Sequence, residues 1–205
     1  MAEENGWVVF AQVASPIVAL ALGVVGVWKE KIKSWMSGPR LDLEVHQPQG
    51  HFTHDQRNRP MRYYLVRVRN DPNRDAALKV CVRIESLHKL TANGSWEDRS
   101  PAVPVLLEQS SGLGTRVDIR SYDAFNIGFM GGISGKPDHF QIQIHKQFFS
   151  VSSEVAPGEK MKFGLEIQAD NLPPSKPKYL MLTWQDNQPT QKCPWSAIPV
   201  LSLSD

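Results

Sequence analysis

Beyond residue 40 the chain alternates apolar and polar side chains with a period of two. Leu41, Leu43 and Val45 interleave with Asp42, Glu44 and His46, and Tyr64, Val66 and Val68 with Leu65, Arg67 and Arg69. The same pattern runs through Leu78–Glu85, His139–His145, Met161–Gln168 and Leu180–Trp184. Strict alternation over four to eight residues predicts strands with one buried and one wet face. Shorter candidates are Val103–Glu108 and Tyr122–Met130. Asn70-Asp71-Pro72-Asn73, Asn93-Gly94, Ser110–Gly114, Gly131–Gly135 and Pro157-Gly158 supply turn chemistry between them. No stretch of 41–205 has a sustained helical period, so seven to nine short antiparallel strands predict an all-β sandwich with Greek-key connections.

The N-terminal pattern is different. Trp7 to Trp28 reads WVVFAQVASPIVALALGVVGVW, 22 residues without a charge. About 20 apolar residues in an α-helix cross a bilayer core, and Trp7 and Trp28 stand where interfacial aromatics belong. Ala19-Leu20-Ala21 imitates a signal-peptidase site. However, Glu3 and Glu4 replace the basic start of a signal peptide, and the apolar run continues past the site. The expectation is a retained transmembrane helix. Residues 1–6 then form a short tail, 7–28 the helix, 29–40 a basic juxtamembrane linker and 41–205 the β domain. Ala11, Ser15, Ala19 and Gly23 recur every fourth residue, a small-residue face that lets helices associate closely in lipid. Self-association into a homo-oligomer through this face is therefore expected.

Val155-Ala156-Pro157-Gly158-Glu159, leading into Lys160–Ile167, resembles the late hairpin of immunoglobulin-like and fibronectin-like domains. The resemblance implies an immunoglobulin-like antiparallel β-sandwich, a fold that hosts many functions.

Charge bears on topology more than on class. The net charge is +2, and residues 41–205 hold 19 basic against 18 acidic side chains. So balanced a domain is a poor binder of nucleic-acid polymers, which need a basic surface to release counterions. Lys29, Lys31, Lys33 and Arg40 follow the apolar span and no Lys or Arg precedes it. The positive-inside bias puts the N-terminus outside and the β domain in the cytoplasm of a single-pass membrane protein. Lys29, Lys31 and Lys33, with Trp7 and Trp28, are the expected membrane-interface anchors. The two cysteines, Cys81 and Cys193, form no disulfide framework and read as free thiols in a reducing compartment.

Catalytic chemistry is not visible. His51 and His54, with His46 nearby, read as part of one solvated loop from Gln47 to Pro60. They lack the third and fourth ligands that zinc requires. No nucleophile elbow or phosphate loop is present, and no cofactor or metal is implied. Cys81, on the polar side of its strand, reads as an inert surface thiol.

Basic side chains form the one constellation. Six arginines fall between positions 57 and 74. If Tyr64–Val68 and Leu78–Ile84 pair as a hairpin, Arg67, Arg69, Lys79 and Arg83 share its wet face with Tyr63 beside them. Arginine's planar fork suits phosphate and carboxylate. A solvated strand face balanced by Asp71, Asp75 and Glu85 is the plainer reading.

Two functions follow as expectations. One is a membrane-anchored binding or scaffold protein whose cytosolic sandwich recognises a protein partner. The other is a ligand-gated effector, in which a small anionic, nucleotide-like molecule binds the arginine face and clusters the helices. One helix plus one sensor domain is similar in architecture to the membrane effectors of bacterial nucleotide-signalled phage defence.

Overall fold

The computed structural model describes residues 28–29, 37–112, 114–131, 136–143, 154–190 and 193–204. The chain divides into two compact units, Met1–Gly38 and Pro39–Asp205. Of the expected transmembrane segment and its flank, Trp28 and Lys29 are described, both helical and exposed. Trp7, Ala11, Ser15, Ala19, Gly23, Lys31 and Lys33 lie outside the described residues. Among the described residues no helix is long and apolar enough to cross a membrane.

Pro39–Asp205 is all-β. Its first strands are β1 (Leu41–Glu44), β2 (His51–His54), β3 (Pro60–Asn70), β4 (Ala77–Leu90), β5 (Trp96–Asp98), β6 (Val105–Leu106) and β7 (Glu108–Gln109). There follow β8 (Val117–Ile119), β9 (Tyr122–Gly131), β10 (Phe140–Ile142), β11 (Glu154–Val155), β12 (Met161–Gln168), β13 (Lys178–Asp186) and β14 (Ala197–Ser204). They make two antiparallel sheets. The first runs β1-β3-β9-β10-β11, with β2 also on β3 and β7 on β9. The second runs β14-β13-β12-β4-β5, with β6 and β8 also on β4.

The inward faces of the two sheets meet in one core. Tyr64, Val66, Val68, Phe125 and Phe140 of the first sheet join Val80, Val82, Ile84, Phe163, Leu165, Leu180 and Leu182 of the second. These are the apolar positions of the period-two pattern, so burial selects the strand face that the sequence marks.

Two expectations are corrected. The strands predicted to form a hairpin, Tyr64–Val68 and Leu78–Ile84, lie in different sheets: β3 pairs with β1, β2 and β9, and β4 with β12, β5, β6 and β8. Likewise β11 and β12, around Pro157-Gly158, belong to different sheets, so that stretch crosses between layers and is not a hairpin.

Within β4 the alternation also breaks. Lys79 has φ 49°, and the pairing with β8 shifts between Ala77 and Val80. This bulge turns Ala77 inward and leaves Leu78 43% exposed, although the pattern placed Leu78 in the core. Cys81, expected at the surface, is 1% exposed. β4 is a central strand, paired with β12 on one edge and with β8 and β6 on the other, and the side chains of Arg83, Arg116, Glu166 and Asp170 lie near the thiol on its outward face.

Candidate functional site

The outer face of the first sheet is set by cross-strand register. One row runs His51, Tyr63, Phe129, Gln141 across β2, β3, β9 and β10. The next carries Leu65, Asn126 and Glu108 of β3, β9 and β7. A third holds Glu44, Arg67 and Ala124, and a fourth Asp42, Arg69 and Tyr122. The face is thus divided along β3, apolar and amide-bearing at one end and ionic at the other.

The first two rows enclose a groove of about 720 Å³. Met61, Tyr63, Leu65 and Phe129 supply its apolar surface. Asn126, Gln141, Gln143 and Glu108 supply polar groups. Gln143 Nε2 donates to Glu108 Oε2 at 3.0 Å, tying the end of β10 to β7 along one wall. Gln143 N also donates to Ile127 O at 3.0 Å. The Asn126 Oδ1 atom is buried and accepts no hydrogen bond among the described residues. Most solvated sheet faces carry polar residues at outward positions; here the outward positions of β3 begin Met61, Tyr63, Leu65.

In the ionic rows Arg67 lies 3.4 Å from Glu44 and its guanidinium sits 4.7 Å from the Tyr122 ring centroid. Asp42 is ion-paired with Lys178, and that hydrogen bond holds its carboxyl below the usual range. Arg69 forms no ion pair among the described residues and lines a cleft of about 750 Å³ with Arg40, Asp42 and Asp71.

The five predicted binding residues therefore divide. Tyr63, Arg67 and Arg69 share the outer face of β3, Tyr63 within the groove and the arginines beyond Leu65. Lys79 and Arg83 lie on the second sheet, so the predicted four-residue basic cluster does not form. Both are neutralised there. Lys79 meets Asp170 at 2.9 Å. Arg83 Nε donates to Glu166 Oε2 at 2.7 Å, and Arg83 is also ion-paired with Glu85. With its amide turned to suit, Gln168 accepts from the same guanidinium at 3.0 Å. Burial first, then the hydrogen bond that its protonated form donates to Glu166, pushes the Glu85 carboxyl upward.

His51 and His54 are not in a loop: they begin and end β2. Their odd separation puts them on opposite strand faces, His51 lining the groove and His54 edge-on to Phe52 at 5.3 Å. Among the described residues no three His, Cys, Asp or Glu side chains gather as metal ligands. Cys81 and Cys193 are both free, and burial raises the Cys81 thiol pKa. Cys193 Sγ accepts from Asn187 Nδ2 at 3.3 Å and lies 3.7 Å from Arg62 Nη2.

Sequence reasoning missed Met61, Leu65, Asn126 and Phe129. Its signal was available: Tyr63 and Leu65 are large apolar residues on the predicted wet side of a strand. No protein-family model, curated protein or solved structure matches the chain.

Proposed function

We propose that the chain is a single-pass membrane-anchored binding protein whose cytoplasmic β-sandwich recognises a protein partner through the outer face of its first sheet. The observation that carries this reading is the groove over Tyr63, Leu65 and Phe129, an apolar recess on a sheet face that solvent alone would leave polar. The anchor rests on the uncharged 7–28 span and its basic flank. The sandwich is proposed to be immunoglobulin-like. Support comes from the chain changing sheets at β3 to β4, β6 to β7, β7 to β8, β8 to β9 and β11 to β12, as Greek-key connections do. Tethering concentrates the partner at the membrane. A photo-crosslinking residue at position 65 of the full chain, in its native membrane, should give one discrete protein adduct that Phe129→Ala removes. A smear unaffected by Phe129→Ala counts against the groove.

The Arg40–Arg69 cleft favours a second reading, the ligand-gated effector, with Arg67 one outward position further along β3. A small anionic, nucleotide-like ligand there would cluster the helices. Arg67→Ala with Arg69→Ala should abolish binding of such a ligand; retained binding sinks the site.

A further inference from the structure

The loops at one end of the sandwich are drawn together by Asn70, a side chain only 1% exposed. Its Oδ1 accepts from Arg40 N at 2.9 Å, and its Nδ2 donates to Asp75 O at 2.8 Å and Ile119 O at 3.3 Å. The start of β1, the β3–β4 loop and the end of β8 are thereby fixed to one point. Asn171 adds the β12–β13 loop: its Oδ1 accepts from Leu78 N and its Nδ2 donates to Ala76 O, both at 2.9 Å. The surface these segments present is basic. Residues 40–42, 69–79, 116–122 and 168–178 hold eight basic against five acidic side chains. Residues 41–205 as a whole have an excess of one, so the positive charge of the domain is concentrated here. Lys79 and Arg116 are ion-paired with Asp170, and Lys178 with Asp42. The exposed Arg69, Arg120 and Lys176 form no ion pair among the described residues.

Two large apolar side chains stand in water at the same end. Tyr122, opposite Arg69 in the β3–β9 register, is 62% exposed, and Leu78 is 43% exposed. The bulge at Lys79 turns Leu78 outward, and its φ of 49° is costly for a residue with a Cβ. Strain that delivers a leucine to water is offset where an outside apolar surface covers that leucine. The chain also enters the domain at this end. Arg40 lies twelve residues beyond the uncharged 7–28 span, a length that reaches at most about 40 Å.

We propose that this basic end docks on the anionic phospholipid headgroups of the cytoplasmic leaflet, with Arg69, Arg120 and Lys176 facing phosphate and Leu78 and Tyr122 entering the headgroup layer. Anionic lipids give that leaflet a negative surface potential. Arginine's fork matches phosphate, and tyrosine is a common interfacial side chain. The docking rests on the anchored, cytoplasm-facing reading above and goes beyond it by orienting the domain. The strands then run away from the bilayer, and the groove over Tyr63 stays open to a partner. At the far end of β4, about 40 Å along the strand, the Asn93-Gly94 turn stands clear of the lipid.

The test uses the full chain in nanodiscs that carry a nitroxide on the lipid headgroup. A fluorescent amino acid is introduced at position 73, in the β3–β4 loop, or at position 93 as the far-end reference. With about 30% phosphatidylserine in the disc, quenching at position 73 should exceed that at position 93 at least threefold. The difference should collapse in phosphatidylcholine discs, and in about 0.5 M salt, where the Debye length falls to roughly 4 Å. Each of Arg69→Gln, Arg120→Gln and Lys176→Gln should lower the ratio of docked to free domain about fivefold, with an unchanged denaturation midpoint. Leu78→Ser should lower it about fivefold without altering the charge. Three results overturn the proposal: equal quenching at positions 73 and 93, quenching at position 73 that ignores lipid charge, and an unaltered signal in the triple Gln variant. If the full chain does not enter discs, the anchor reading falls, and flotation of the chain with phosphatidylserine vesicles decides the surface by itself. Binding that the triple variant loses keeps the surface; absence of binding overturns it.

Discussion

The Tyr64 hydroxyl donates to the Pro199 carbonyl at 3.0 Å, across the core from β3 of the first sheet to β14 of the second. Tyr64 is fully buried, and its ring meets Phe140 edge-on at 5.2 Å. Gly50, at φ 73°, lies so close that a Cβ there would fall 2.9 Å from the Tyr64 ring. Burial pushes the phenol far above the usual tyrosine range, so the hydroxyl remains a donor at any working pH. Tyr64→Phe keeps the ring contacts and orphans the Pro199 carbonyl. The expected cost is roughly 1–3 kcal/mol, read as a lower denaturation midpoint with an unchanged slope. An unchanged midpoint would mean that water satisfies the carbonyl.

Pro199 also explains why β14 escaped the sequence pattern. A proline argues against a central strand, but among the described residues β14 pairs only with β13, and an edge position tolerates a residue without an N–H. The edge is closed further where Leu201 N donates to Pro48 O at 2.9 Å. Strands whose alternation spans six or more residues, such as Met161–Gln168, were legible because burial and periodicity agree there. Two- to four-residue strands such as β2, β5 and β7 carry too few positions to show a period. The Leu78 error came from a bulge at Lys79, a non-glycine at positive φ that composition does not announce. The basic cluster failed for a different reason. Which sheet a strand joins is a long-range decision, and adjacency in sequence, from Asn70 to Ala77, suggested a hairpin that the core does not allow. Of the groove, the sequence named Tyr63 alone, and only as a neighbour of the expected arginine face; Asn126 and Phe129 needed the β3–β9 register to reach it.

Gly128 links the core to the groove wall. A Cβ at this position would meet the Gln141 carbonyl and approach the Phe140 ring to 2.5 Å. Both neighbours belong to β10, whose Gln141 and following Gln143 line the groove. Neither backbone carbonyl nor buried ring yields easily, so Gly128→Ala should push β10 from β9. The expected loss is about 1–3 kcal/mol of stability, with weaker crosslinking at position 65. Gly94→Ala, in the β4–β5 turn of the second sheet, is the control: its Cβ meets nothing within 4 Å, though φ 81° still carries backbone strain. Equal effects of the two changes on crosslinking would show that the wall plays no part.

On the second sheet the Glu85 carboxyl is raised by burial and by its hydrogen bond with Glu166, with Arg83 opposing. The folded state therefore holds the Glu85 proton more tightly than the unfolded chain. Its contribution is fully present below the ordinary carboxylate range and is lost as pH rises through the folded-state value. Asp42, Asp98 and Glu159 shift the opposite way and lose their contributions as pH falls. Glu85→Gln, an uncharged stand-in for the protonated acid, should equal the wild type in acid and exceed its stability between about pH 5 and pH 7. Denaturation midpoints across that range check it. A constant offset at every pH would assign the change to lost packing with Arg83.

The orientation proposed for the domain has a reporter already in the sequence. Asn93-Gly94-Ser95 is a glycosylation sequon, and in the structure it forms the exposed turn between β4 and β5, with Gly94 at φ 81°. Thr91 N donates to Ser95 O at 2.9 Å across this turn, which projects away from the core. An oligosaccharide can be added there only if the domain enters the lumen. In the proposed orientation, with Lys29, Lys31, Lys33 and Arg40 on the cytosolic flank, the native chain should insert into eukaryotic microsomes without a glycan. Replacing Lys29, Lys31 and Lys33 by Gln, with Glu3→Lys and Glu4→Lys, moves most of the positive charge to the other flank. That chain should invert and gain a glycan that Asn93→Gln abolishes. Glycosylation of the native chain would place the sandwich outside and move its partner there. Full release of both chains by alkaline carbonate would remove the membrane anchor itself.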